Sequence, residues 1–145
     1  MQLADVVEER FGKAVVAGEV VAADAALAVH QDEARAVAQA AIHAVQLECV
    51  EAEIVDLRSL RPLDMDPVIE SFKKTNRAVV VEEGWKSFGV GAEVSARIYE
   101  QAFDYVDAPV RRVAQKEVPL PYNRALEQSA LPQVEDVVAA VKEVL

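Results

Sequence analysis

The run from Ala78 to Phe103, AVVVEEGWKSFGVGAEVSARIYEQAF, leaves this chain little choice of fold. Val79-Val80-Val81 is a short β-branched apolar run flanked by charge and glycine, the pattern of a strand buried on both faces of a parallel sheet. Gly84, Gly89 and Gly91 mark a loop. From about Val90 the residues Ala92, Ala96, Tyr99 and Phe103 recur at near-helical intervals, with Glu93, Arg97 and Glu100 between them. A proline break at Pro109 then leads into a further short strand, Val110 to Val113, which completes a βαβ unit.

The rest of the chain repeats that alternation. Residues 1–12 are weakly patterned and read as a linker or N-terminal extension ahead of one domain over 13–145. Lys13 to Val16 suits a short strand and Ala26 to Gln31 a second. Asp32 stands where its side chain can cap a helix running to about Leu47, with Val37, Ala41, Ala44 and Val45 on one face. Ala52 to Leu57 reads as a strand. In LDMDPVIESFKK, Asp64 or Asp66 would cap a helix that carries Pro67 in its first turn and lysines in its last. Pro119, Pro121 and Pro132 exclude long regular structure from KEVPLPYNRALEQSALPQ, and a final helix aligns Val134, Val137, Val138, Val141 and Leu145. Strands alternating with helices at this spacing imply a three-layer α/β/α sandwich on a mainly parallel sheet.

Composition narrows the partners. With 145 residues, 52% of them apolar, the chain can bury a core without staples. Its net charge of −10 opposes nucleic acid binding and suits a basic protein partner. The single cysteine, Cys49, excludes an internal disulfide and reads as a small buried apolar residue in a reducing compartment. No apolar run approaches the ~20 residues of a membrane span, and MQLADVVEER lacks an export pattern, so a cytoplasmic protein is expected.

Several residues invite chemistry that their context does not support. Glu82 and Glu83 look like a carboxylate pair, but consecutive strand residues point to opposite faces, which argues against a catalytic dyad. Gly89-Val90-Gly91 can cradle an anion at a helix N-terminus or merely shape a loop. His30 and His43 have no ligand set around them. Trp85, in the loop after the central strand, can anchor a subunit contact or pack on its own domain.

Between Ala52 and Leu145 the segments AEIVDLRSLRPLD, KKTNRAVVVEEGW, GVGAE, FDYVDAPVRRV, VPLPY and LPQVEDVVAAVKEVL follow in that order. Together they resemble the C-terminal domain of the pyruvate dehydrogenase beta subunit, of the thiamine-diphosphate-dependent 2-oxo acid dehydrogenase family. That domain is of the transketolase C-terminal type. Phe11-Gly12-Lys13-Ala14 resembles its start, while Val15 to Val50 departs from the family pattern.

The resemblance implies a five-stranded mixed sheet of order 1-3-2-4-5 with strand 1 antiparallel. A switch point would then lie between the second and fourth strands. It would be lined by His30, Gln31 and Asp32 on one side and by Glu83, Gly84 and Gly89 on the other, with Trp85 beside it. The resemblance further implies that thiamine diphosphate and magnesium are bound by other domains, leaving no catalytic, cofactor or metal residue here and no activity for the chain alone. Its implied partners are an alpha subunit, a second beta subunit and the peripheral subunit-binding domain of the lipoyl acyltransferase, in a homodimer or larger assembly. The matching docking residues are Asp107 and, about two residues short of the family's end, Leu145. Two other readings stand beside this assembly role: a subunit of a split thiamine-diphosphate enzyme, and a free-standing small-ligand or nucleotide binder.

Overall fold

The computed structural model describes the backbone of residues 13–16, 19–22, 25–29, 32–48 and 50–145, and side chains at 28–29, 34–48 and 50–145. The expected 1–12 extension, His30, Gln31, Cys49 and the Asp32 side chain lie outside the described residues.

Strands β1 (Lys13–Val16), β2 (Glu19–Ala22) and β3 (Ala25–Val29) are followed by helix α1 (Asp32–Gln46). Then come β4 (Ala52–Asp56), α2 (Asp66–Thr75), β5 (Ala78–Trp85), α3 (Val90–Ala102) and a 3-10 turn at Phe103–Tyr105. β6 (Arg111–Gln115), α4 (Arg124–Ala130) and α5 (Val134–Val144) end the chain. β4-β3-β5-β6 form a parallel sheet, with Leu27 opposite Ile54 on one side and Val79 on the other.

The expected order 3-2-4-5 is therefore present, and the first strand is the exception. β1 pairs antiparallel with β2, Val15 opposite Val20, in a separate two-stranded sheet. Joining β1 to β2 closes a short local loop, which costs less chain entropy than pairing with the distant β4. β1 still runs beside β4.

The two faces of the sheet are covered by different helices. Val29, Val79, Val81 and Val113 pack with α1 and α5 through Ala38, Ile42, Val45, Val137 and Val141. Ala28, Ala78 and Val80 pack with α2 and α3 through Phe72, Val94 and Ile98 on the other face. Burial of the full Val79–Val81 run is what a central parallel strand requires.

Three local expectations change. β5 continues through Gly84 and Trp85, which were expected in the loop; a register shift between Val81 and Trp85 lets the strand reach the rim of the sheet. The N-cap of α2 is Met65, without a side-chain cap bond, and the Asp64 carboxylate accepts the Asp66 N–H instead (3.1 Å). The proline-bearing excursion holds the short helix α4, where Asn123 accepts the Ala125 N–H at 3.0 Å and so begins a helix that Pro132 follows.

Candidate functional site

The strand alternation of β5 decides what its two glutamates do. Val79 and Val81 face α1, so Glu83 does too, and its Oε1 accepts the Ala34 N–H in the first turn of α1 at 2.8 Å. Val80 faces α3, so Glu82 does too, and its Oε2 accepts the Gly91 N–H in the first turn of α3 at 3.1 Å. The two carboxylates sit on opposite faces, each against the positive end of a helix dipole. They form no dyad.

Gly89 and Gly91 are the counterpart of Glu82. Gly89 is the N-cap of α3 and has no side chain to cap it, so the strand supplies the carboxylate. A Cβ on Gly91 would lie 2.5 Å from Glu82 Oε1, and one on Gly89 would lie 2.6 Å from Glu82 Oε2. The glycine loop does cradle an anion, and the anion is the chain's own Glu82, only 3% exposed. Its Oε1 has no hydrogen-bond partner among the described residues.

Because Gly89 serves Glu82, it does not share a crevice with Glu83. The cavity beside Glu83, about 330 Å³, is instead completed by Ala34 and Val37 of α1, by Gln128 of α4 and by Leu131, Pro132 and Gln133 of the α4–α5 connection. Gly84 lies nearest the Glu82 side, with its Cβ position 3.6 Å from Oε2. The Trp85 indole N–H donates to the Val118 carbonyl (3.1 Å) while the side chain stays half exposed. Glu117 adds a second tie between the end of β5 and the segment after β6 by accepting the Ser87 N–H at 2.9 Å.

A hub at the end of β4 escaped sequence reasoning. Asp56 Oδ2 pairs with Arg35 (3.1 Å) and Arg58 (3.2 Å), and Oδ1 accepts the Arg58 N–H. Partial burial pushes this carboxyl upward. The Arg35 hydrogen bond, the Arg58 N–H and the two guanidinium charges outweigh that, and it titrates below its ordinary value. The only available signal was an aspartate at a strand end followed by arginine.

The opposite end of the sheet carries the two residues expected to dock a partner. Asp107 is exposed, and its Oδ2 accepts the Asn76 Nδ2 (3.3 Å) while its N–H donates to the Asn76 carbonyl (3.2 Å). Asn76 holds the left-handed conformation that ends α2 (φ 59°). Arg111 opens β6 and pairs with Glu143 near the end of α5 (3.0 Å), which brings the C-terminal Leu145 to the same end as Asp107. Leu145 is also exposed.

A thiamine diphosphate does not fit the described residues of the switch point. The N-termini of α1 and α3, where a diphosphate would find N–H donors, already hold the Glu83 and Glu82 carboxylates, which would repel it. Among the described residues no three His, Cys, Asp or Glu side chains form a group able to hold a metal ion, and no helix is long and apolar enough to cross a membrane.

A four-stranded parallel sheet between helix pairs, with a carboxylate at each helix start beside the switch point, defines the class. The family described as transketolase, C-terminal domain, matches residues 33–137, and the chain belongs to that family. A solved split gene transketolase, described as an inactive beta4 tetramer, superposes with a TM-score of 0.70 at 29% identity, over 84% of this chain and 38% of that one.

Within the family the likeness is to pyruvate dehydrogenase E1 component subunit beta. The Rickettsia felis protein is 50% identical over 104 residues, covering 72% of this chain and 32% of that protein. The mitochondrial protein of Homo sapiens is 48% identical over 99 residues, 68% and 28% respectively. The chain thus spans about a third of the length of the curated relatives it matches.

Proposed function

We propose that the chain is the non-catalytic assembly and docking domain of a pyruvate dehydrogenase E1 beta-type subunit. In this reading thiamine diphosphate and magnesium are bound by other domains, and the domain packs in the cytoplasm with an alpha subunit and a second beta subunit. It then presents Asp107 and Leu145 to the peripheral subunit-binding domain of a lipoyl acyltransferase. The observation that carries the reading is Asp107: an exposed carboxylate oriented by Asn76 through side chain and backbone, on the end of the domain where the chain terminates. A fixed acid on a domain of charge −10 complements a basic partner.

Calorimetric titration with that small basic domain at two salt concentrations tests the reading. Salt-sensitive binding that Asp107→Arg abolishes is expected. Equal binding by wild type and variant, or none by the folded chain, would reject Asp107 as the docking residue.

A second reading rests on the likeness to a split gene transketolase: the chain would be one subunit of a divided thiamine-diphosphate enzyme. Mixing it with candidate partner chains, thiamine diphosphate and magnesium would then produce 2-oxo acid decarboxylation that no component shows alone.

A further inference from the structure

We propose that Tyr105 is a second docking residue beside Asp107, and that the two together select an arginine of the partner over a lysine. The inference rests on the docking role given to Asp107 above and adds the chemistry of the group that meets it. Tyr105 ends the 3-10 turn after α3, and Val106 behind it is extended (φ −81°, ψ 104°) and packs inward against the α2–α3 core. Across an extended residue the flanking side chains project to one face, roughly 6–7 Å apart. Tyr105 and Asp107 are both exposed there, Tyr105 at 44%. One end of α2 holds them both. Lys73 in its last turn places Nζ 5.4 Å from the centre of the Tyr105 ring, and Asn76, three residues on, bonds Asp107 through side chain and backbone.

Charge alone does not choose the occupant, since the last turn of α2 carries Lys73 and Lys74 while the facing segment carries Asp104 and Asp107. The pairing of a ring with a carboxylate does choose. Tyr105 already receives a cation on its ring, within the ~6 Å reach of a cation–π contact, and among the described residues Lys73 pairs with no acid. A guanidinium is planar, so one arginine can grip the Asp107 carboxylate with two N–H groups and lie against the neighbouring ring. An ammonium is a compact, strongly hydrated point charge and meets one or the other. Lys73 is then a placeholder, which the partner's arginine displaces from the ring.

The probes are two fluorescein-labelled heptapeptides of equal charge, alternating arginine–alanine and alternating lysine–alanine, titrated into the full chain by fluorescence anisotropy. The arginine peptide is expected to bind ~3-fold to 10-fold more tightly. Tyr105→Leu keeps an apolar side chain but removes the π face, so it should erase that preference and leave the lysine peptide unchanged; Tyr105→Phe should retain the preference. Lys73→Gln should tighten the arginine peptide more than the lysine peptide, because it vacates the ring. Equal affinity of the two peptides for the wild type, or no binding of either, would overturn the proposal in a measurement that needs no variant to fold. A preference that survives Tyr105→Leu in a folded chain would overturn it as well. Titration of the small basic domain separates this failure from that of the docking role. Binding lost in Asp107→Arg but undiminished in Tyr105→Leu would keep Asp107 as the docking residue and remove Tyr105. An arginine preference lost in both variants, with no binding of the domain, would uphold the pair and retire that domain as its partner.

Discussion

The two ends of the sheet use carboxylates in opposite ways. At the C-terminal end, Glu82 and Glu83 are turned inward onto the starts of α3 and α1, and their charge is spent on helix N–H groups. At the N-terminal end, Asp107 is turned outward and only steadied by Asn76. In open α/β sheets the C-terminal end is the usual ligand site. Here the starts of α1 and α3 at that end already hold the chain's own acids, while Asp107, the acid proposed for docking, lies at the other end. If Asp107 docks a partner as proposed, membership of a fold family does not by itself say which end of the sheet carries function.

This contrast makes substitutions at the inward end costly for folding. The largest effect is expected for Gly91→Val, whose side chain must displace the Glu82 carboxylate and press on Val80, already 3.3 Å from a modest Cβ. A loss of about 3 kcal/mol in urea unfolding is expected; a loss below ~0.5 kcal/mol would show that the cradle is loose. Glu83→Ala should cost about 1–2 kcal/mol by uncapping α1, with Glu83→Gln recovering part of it because an amide oxygen can still accept the Ala34 N–H. If Glu83→Ala were neutral, the inward end would not be a capping device.

At the outward end the stability cost should be small. Asn76→Ala is expected to lose about 1 kcal/mol, since alanine tolerates the left-handed conformation poorly, whereas Asn76→Gly should be milder. Asp107→Ala should change unfolding by no more than ~0.5 kcal/mol while weakening docking, and a large unfolding change would recast Asp107 as structural.

The smallest expected effect is a pH dependence. The Asp56 carboxyl is held below its ordinary value of 3.8, so its contribution is fully present above that pH and is lost as pH falls through the folded-state value. In urea midpoints, wild type should hold a constant advantage over Asp56→Asn at neutral pH. It should lose that advantage below about pH 4. A gap unchanged at pH 3 would remove the arginine pairs as its source.

Much of this was legible locally. The Val79–Val81 run, the glycine loop and the valine stripe of α5 each carry their own period, so the central strand and the helices beside it follow from neighbouring residues. The opposed directions of Glu82 and Glu83 follow from strand alternation alone. α4 was harder to see, because prolines on both sides hide the helix that Asn123 starts. The hairpin that takes β1 from the main sheet depended on a competition between local and distant pairing, which periodicity does not register.

The tertiary structure alone decided what each residue meets. That Glu83 reaches Ala34 and Glu82 reaches Gly91 depends on strand order and on which face each crossover helix takes. The pairing of Asp107 with Asn76, and of Arg35 with Asp56, likewise joins residues far apart in the chain. Alternation along a strand is set by the geometry of adjacent peptides and can be read from sequence. The partner at the end of each side chain is set by the packing of whole elements, and it exists only once the sheet has formed.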